Sequence, residues 1–364
     1  MKGGIFMRLN ICMLGPSGAG KTSMMTAIFM DARRKLVTHP SQIKIYPDSE
    51  ETTQKIQAAI SQFEWTLRLE SSEVAVLPGN AAMSEYKFRF HIPNSPQPID
   101  VNILDYPGGW LGTENFQLVE QHVQDSLATL VPIPADLLLE WYRNSKINPN
   151  EDIYKYVTEV LQPDDVCAAI KNWVDHRCSR AKKSLLMFVP IRCEHCFADN
   201  CCNGNLGREL QEAVEQMYIS RLDFSGEQKA NIKTIIHAVD TYGVVELENV
   251  TWNANAQRPH LLSKFRRVEQ APRAKTKGAY EILSAIIHFK MKEYADRLNT
   301  SIGDIEQTIS QRGIFKKVLV AIFGDKEKAK LNALSAEEIA ILSSMEVLSD
   351  VANECDAVRT REIN

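Results

Sequence analysis

Nothing in this 364-residue chain approaches the roughly 18 consecutive apolar residues of a membrane span. The longest apolar stretches, residues 185–191 and 318–323, are far too short. Lys2 and Arg8 near the start are followed by no apolar run of the length a secretory signal needs, so the expected location is the cytoplasm. Cysteine is scarce: eight in the whole chain cannot staple a protein of this size, and a reducing compartment would keep most of them as thiols. An excess of one charge is missing too. Lys and Arg number 42 against 46 Asp and Glu, a net charge of -4, which argues against a dedicated nucleic-acid or polyanion binder. Repeats and low-complexity tracts are absent, and 44% hydrophobic with 24% charged residues excludes a disordered or collagen-like chain.

What is present is an alternation of strand and helix patterns. Leu9, Ile11, Met13 and Leu14 form an apolar run that Gly15 to Gly20 break. Met24, Ala27, Ile28 and Ala32 then fall on one helical face, and Ile56, Ile60, Phe63 and Leu67 repeat the spacing over residues 50–69. Tyr86, Phe88, Phe90 and Ile92 alternate with Lys87, Arg89 and His91, as in a half-buried strand, and Ile99 to Leu104 make a second strand ending in Asp105. The pattern predicts helices over 114–130, 148–183 (divided at Pro163), 206–221 and 278–298, and strands over 135–142, 184–192 and 233–239. After Asn299 the periodicity is helical throughout. The expected class is an α/β, mostly parallel sheet with helices on both faces and one antiparallel hairpin strand.

Gly15-Pro16-Ser17-Gly18-Ala19-Gly20-Lys21-Thr22 fits G-x-x-x-x-G-K-[ST] between a strand and a helix. Glycines let the backbone curl so that successive N–H groups face one anion, and the helix starting near Lys21 adds the positive end of its dipole. The loop residues Gly15, Ser17, Gly18, Ala19, Gly20, Lys21, Thr22 and Ser23 are therefore candidate phosphate contacts. Lys21 would reach the β- and γ-phosphates and the Thr22 hydroxyl would ligate Mg²⁺. A carboxylate at a neighbouring strand end completes such a site. Asp105 is the candidate, and it opens Asp105-Tyr106-Pro107-Gly108, a D-x-x-G pattern in which Gly108 can offer its N–H to a γ-phosphate. Lys21, Asp105 and Gly108 are the expected catalytic set, with Thr22 and Asp105 on the metal.

A phosphate loop, a hairpin and then D-x-P-G resembles the order in Ras-like and translation-factor-related GTPases. The segment Asp105-Tyr106-Pro107-Gly108-Gly109-Trp110-Leu111 is more particular: it looks like the DYPGEWL segment of bacterial YcjX-like P-loop proteins, with Gly109 where that family has an acidic residue. The resemblance implies GTP/GDP as ligand, Mg²⁺ as cofactor and a protein partner or effector. It also implies guanine recognition after the strand at 184–191. There the family has T-K-A-D-H and this chain has Ile191-Arg192-Cys193-Glu194-His195, so Arg192 stands for the Lys and Glu194 for the Asp. Ras-like enzymes orient water with a Gln after D-x-x-G, which Gly109 cannot do, so hydrolysis is expected to be slow; Glu114 and Gln117 are other candidates. Asn80 and Ser84 are the polar residues before the hairpin, where a Thr would complete the Mg²⁺ shell.

Cys193, Cys196, Cys201 and Cys202, with His195 between, could hold Zn²⁺, but the adjacent second pair and the place of Cys193 in the base-recognition segment favour free thiols, with redox pairing as the third reading. Arg258, Lys264, Arg266, Arg267, Arg273, Lys275 and Lys277 read as a solvated basic loop. Length alone suggests about two domains. The motif positions instead suggest one nucleotide-binding domain over 1–298, with an enlarged segment at 36–86 and a helical insert at 148–183, then a helical tail over 299–364. The leading functional expectation is a slow GTPase switch; an ATPase or small-molecule kinase and a binding-only scaffold are the alternatives.

Overall fold

The computed structural model describes residues 7–38, 43–68, 71–73, 83–91, 98–146, 150–197, 206–256, 259–268, 273–297 and 359–363. Strand β1 (Met7–Met13) leads into helix α1 (Lys21–Thr38), followed by β2 (Lys44–Pro47), α2 (Glu50–Arg68) and the short β3 (Ser71–Glu73). Next come β4 (Ser84–His91), β5 (Ile99–Asp105), α3 (Gln117–Asp125), β6 (Ala128–Pro134), α4 (Ala135–Lys146), α5 (Glu151–Leu161), α6 (Pro163–Ser179) and β7 (Ser184–Ile191). The chain continues through α7 (Gly207–Met217), α8 (Gly226–Asn231), β8 (Ile232–His237), β9 (Val245–Asn253), β10 (His260–Arg267), α9 (Ala279–Arg297) and β11 (Thr360–Ile363).

Eight strands form one sheet in the order β11-β8-β7-β6-β1-β5-β4-β2. β5, β1, β6, β7 and β8 are mutually parallel, and β4, β2 and β11 join through antiparallel pairings. The parallel strands β5, β6 and β7 are buried along their whole length, as expected for strands covered on both faces. β4 alternates instead, burying Tyr86, Phe88 and Phe90. On one face α1 and α9 pack Met24, Ile28, Ile282 and Ile286 against Leu9, Ile11, Val101 and Met187. On the other, α3, α4, α6 and α7 bring Val119, Leu138, Trp173 and Val214 onto Cys12, Leu104, Phe188 and Ile236.

The chain leaves β1 and returns as β5 on one side, then crosses to β6 on the other. The crevice at the C-terminal end of β1 is thus the topological switch point, where open α/β sheets bind ligands. The glycine-rich loop sits there, between β1 and α1. This is a P-loop NTPase-like α/β fold, as the sequence pattern predicts.

Four local expectations change. The helix expected over 114–130 is a 3₁₀ turn (Glu114–Phe116) and the nine-residue α3, so Leu127 lies beyond the helix and Leu130 belongs to β6. The strand expected over 135–142 is α4: Leu138, Leu139, Trp141 and Tyr142 are helically spaced and all buried. Pro132 and Pro134 obscured β6 because prolines are unusual in central strands. They are tolerated here since β6 pairs with β1 only as far as Leu130, while its pairing with β7 continues to Pro134. The basic segment is not a loop over Lys264 to Arg267. It forms β10, paired with β9 and β3 in a second, three-stranded sheet, with Lys264 on Glu248 and Arg266 on Glu246. A register shift at Lys264 and Phe265 breaks the alternation that would have revealed it. Most of the expected helical tail and Arg258 lie outside the described residues, but Thr360–Ile363 form edge strand β11, not helix.

That edge strand is fastened by charge. Arg359 donates from Nη1 and Nη2 to the two oxygens of Asp240, both at 2.7 Å, and both side chains are buried. Its guanidinium also lies 4.3 Å from the Phe197 ring centroid. His237 meets the Thr360 hydroxyl at 2.8 Å. Removing one partner of a buried ion pair costs about 3–5 kcal/mol. Arg359→Ala is therefore expected to lower unfolding stability by about 3 kcal/mol in urea; a loss below about 1 kcal/mol would mean the latch is dispensable.

Candidate functional site

The loop after β1 holds its shape through its own polar groups. Ala19 N–H donates to Pro16 O at 3.4 Å, and Gly15 N–H donates to the Tyr106 hydroxyl at 3.4 Å. Gly20 adopts φ +86°, a left-handed conformation where a Cβ would also overlap Ile191 Cδ1. Among the described residues, no acceptor is found for the backbone N–H groups of Ser17, Gly18, Gly20, Lys21, Thr22 and Ser23. Those of Lys21, Thr22 and Ser23 are the orphan donors of the α1 N-terminus, at the positive end of its dipole.

Lys21 lies within this loop and is buried. Its Nζ donates to Gly15 O at 2.8 Å and Pro16 O at 2.9 Å, and sits 5.3 Å from the Tyr106 ring centroid. Burial pushes its pKa down, and the nearby Asp105 carboxylate opposes that shift. Asp105, the last residue of β5, is buried, and its Oδ2 accepts from the Thr22 hydroxyl at 2.9 Å. Two hard oxygen donors are thus side by side at the helix N-terminus, the donor chemistry Mg²⁺ takes alongside water and phosphate. Gly108 closes the group: a Cβ at this position would overlap Ser17 N and Pro16 C, so the D-x-x-G turn lies directly against the glycine-rich loop. Gly109 faces open space: a methyl group added to it would meet nothing within 4 Å beyond its chain neighbours. Sequence reasoning missed Tyr106, whose ring and hydroxyl support both Lys21 and Gly15; its position inside the D-x-x-G motif was the available signal.

The structure brings Arg192 and Glu194 to the same sheet edge, but gives each a partner within the chain. Arg192 has φ +62°, a strained value for a non-glycine residue. Its N–H donates to the Thr241 hydroxyl at 2.9 Å and its guanidinium pairs with Asp136 at 2.8 Å. Asp136, in the first turn of α4, is buried and also accepts from the Ser263 hydroxyl. The misread strand at 135–142 hid this residue. Glu194 is fully buried. Its Oε1 accepts the N–H groups of Tyr242 at 2.5 Å and Gly243 at 3.1 Å, while Oε2 has no hydrogen-bond partner among the described residues. Burial, reinforced by Asp240, pushes its pKa up to about 7 against the pull of those two amides. Glu114 and Gln117 are exposed, Ser84 is buried and accepts from Lys55 at 3.1 Å, and Asn80 lies outside the described residues. Cys193 and Cys196 are buried thiols; Cys201 and Cys202 lie outside the described residues. Among the described residues no three His, Cys, Asp or Glu side chains gather as a metal-ion cluster, and no helix is long and apolar enough to cross a membrane.

No family model matches the chain, and no curated protein does. Among solved structures it is similar to the S. cerevisiae Ski7 GTPase-like domain, bound to GDP and inorganic phosphate, at 12% identity and a TM-score of 0.28. The match spans 64% of this chain and 43% of that one. At that score the likeness carries no argument; the fold assignment rests on strand order and loop position.

The contact of Gly108 with the loop generates a paired test. Gly108→Ala must displace backbone, at a cost of about 1–3 kcal/mol for overpacking, whereas Gly109→Ala meets only open space. Thermal unfolding is expected to show a clearly lowered Tm for the first and an unchanged one for the second. Equal behaviour of the two variants would contradict the close approach.

Proposed function

We propose that this chain binds GTP with Mg²⁺, hydrolyses it slowly, and uses the bound state as a switch for a protein partner. The observation that carries this reading is the convergence of Lys21, Thr22, Asp105 and Gly108 on a loop with six backbone N–H groups that find no acceptor among the described residues. Such a loop cradles phosphates, Lys21 would exchange its two loop carbonyls for β- and γ-oxygens, and Thr22 with Asp105 would hold Mg²⁺ and its water shell. The metal, when bound, would neutralise charge building up on the phosphate oxygens. A γ-phosphate needs room beside Ser17, where Gly108 now packs, so binding GTP would move the turn at 105–111 and expose a different surface to a partner. Gly109 places no side chain near that phosphate, which supports a low hydrolysis rate.

The base preference is the finer part of the proposal. Glu194 Oε2, buried and without a hydrogen-bond partner among the described residues, would accept a guanine N–H only once the residues that cover it move aside. A second reading, triphosphate binding without selection of guanine, is favoured by the two amides that already occupy Oε1.

Titration of the full chain with labelled GTP and ATP in Mg²⁺ separates these readings. GTP is expected to bind more tightly than ATP, and Lys21→Ala to weaken it by about 10–100-fold, the worth of charged hydrogen bonds at about 1.5–3 kcal/mol. ATP binding as tight as GTP would remove guanine recognition, and failure of both to bind would overturn the nucleotide reading.

A further inference from the structure

The turn that follows β7 has a chemistry that nucleotide binding does not use. Cys196 N–H donates to Cys193 O at 2.8 Å, closing a turn over Cys193, Glu194, His195 and Cys196. Such a turn holds the first and last Cα within about 7 Å, inside the range a disulfide spans. The two thiols are buried at either end of that turn. His195, only half-buried, sets Nε2 3.6 Å from Cys196 Sγ and leaves Nδ1 without a partner among the described residues.

The other described cysteines have no such setting. Burial pushes the thiols of Cys12, Cys167 and Cys178 up, Cys167 to about 11. Cys196 is pushed down to about 6, first by the neighbouring Cys193 thiol and then by His195, against the effect of burial. Cys193 moves the opposite way, pushed up first by its burial.

We propose that Cys193 and Cys196 are a redox-active dithiol, which peroxide oxidises to an intrachain disulfide and small thiols reduce again. In the first step the Cys196 thiolate attacks one peroxide oxygen; an S–O bond forms, the O–O bond breaks, and the departing hydroxide takes a proton from the His195 imidazolium and leaves as water. In the second step Cys193 attacks Cys196 Sγ; the S–S bond forms, the S–O bond breaks, and the Cys193 proton leaves with the hydroxide as a second water. The two cysteines lose two electrons that reduce one peroxide to two waters. Two small thiols reverse the change by exchange, becoming a disulfide themselves. The disulfide ring would enclose Glu194, so oxidation would stiffen the turn that holds the amides of Tyr242 and Gly243.

The test needs no nucleotide. The folded full chain is treated with hydrogen peroxide, unreacted thiols are blocked with N-ethylmaleimide in denaturant, and the digest is read by mass spectrometry. The expected product is a Cys193–Cys196 disulfide that dithiothreitol removes, formed at least about tenfold faster than oxidation at Cys12, in line with thiolate control of reactivity. Cys193→Ser is expected to leave Cys196 as a sulfenic acid that dimedone traps. Recovery of Cys193 and Cys196 as maleimide adducts while other cysteines oxidise would overturn the proposal. So would disulfides that join either residue to Cys201 or Cys202 instead. Because the wild-type product is mapped directly, a variant that fails to fold leaves the test intact.

Discussion

The backbone from Ser17 to Ser23 carries N–H groups for which the described chain supplies no acceptor, and the centre of the molecule is organised around them. Unpaired donors of this kind are costly unless water or a ligand meets them. The fold keeps them at a crevice by ending β1 at Met13, placing β5 and β6 on either side, and starting α1 at Lys21. Every other element of the site is fixed relative to that loop: Asp105 through Thr22, Tyr106 through Gly15, and Gly108 through direct contact with Pro16 and Ser17.

A second electrostatic arrangement lies along the same sheet edge. Asp136, Glu194 and Asp240 follow β6, β7 and β8, and all are buried. Buried carboxylates need partners. Arg192 supplies one for Asp136, Arg359 for Asp240, and the Tyr242 and Gly243 amides for Glu194. Strand β11 is thereby tied to this end of the sheet, since Arg359 just before it supplies the cation that pairs with Asp240. The Cys193–Cys196 turn occupies the middle of this group, which is why a change in its oxidation state would be felt by Glu194 and the loop at 240–243.

The glycine-rich loop after β1, the place of Asp105 at the end of β5 and the turn at Gly108 were legible in the sequence because local spacing alone defines them. The central strands were legible where burial on both faces gives unbroken apolar runs, as in β7. Where two signals conflicted, reading failed. The prolines of β6 suppressed a real strand, and the buried face of α4 then looked like the missing one. Long-range partners were invisible: nothing near Arg359 announces Asp240, some 120 positions earlier. The position of Arg192 and Glu194 just after β7 was legible from the strand's apolar run, but their pairing with Asp136 and with the amides at 242–243 depends on tertiary contacts that spacing does not encode.

In the proposed function the loop and the turn lying on it form one triphosphate site. Amide hydrogen exchange of the full chain, with and without a non-hydrolysable GTP analogue and Mg²⁺, tests it most directly. Slowed exchange is expected at residues 15–23 together with altered exchange at 105–111, because the loop amides would gain acceptors as Gly108 is displaced. Unchanged exchange in both segments at saturating nucleotide would contradict it.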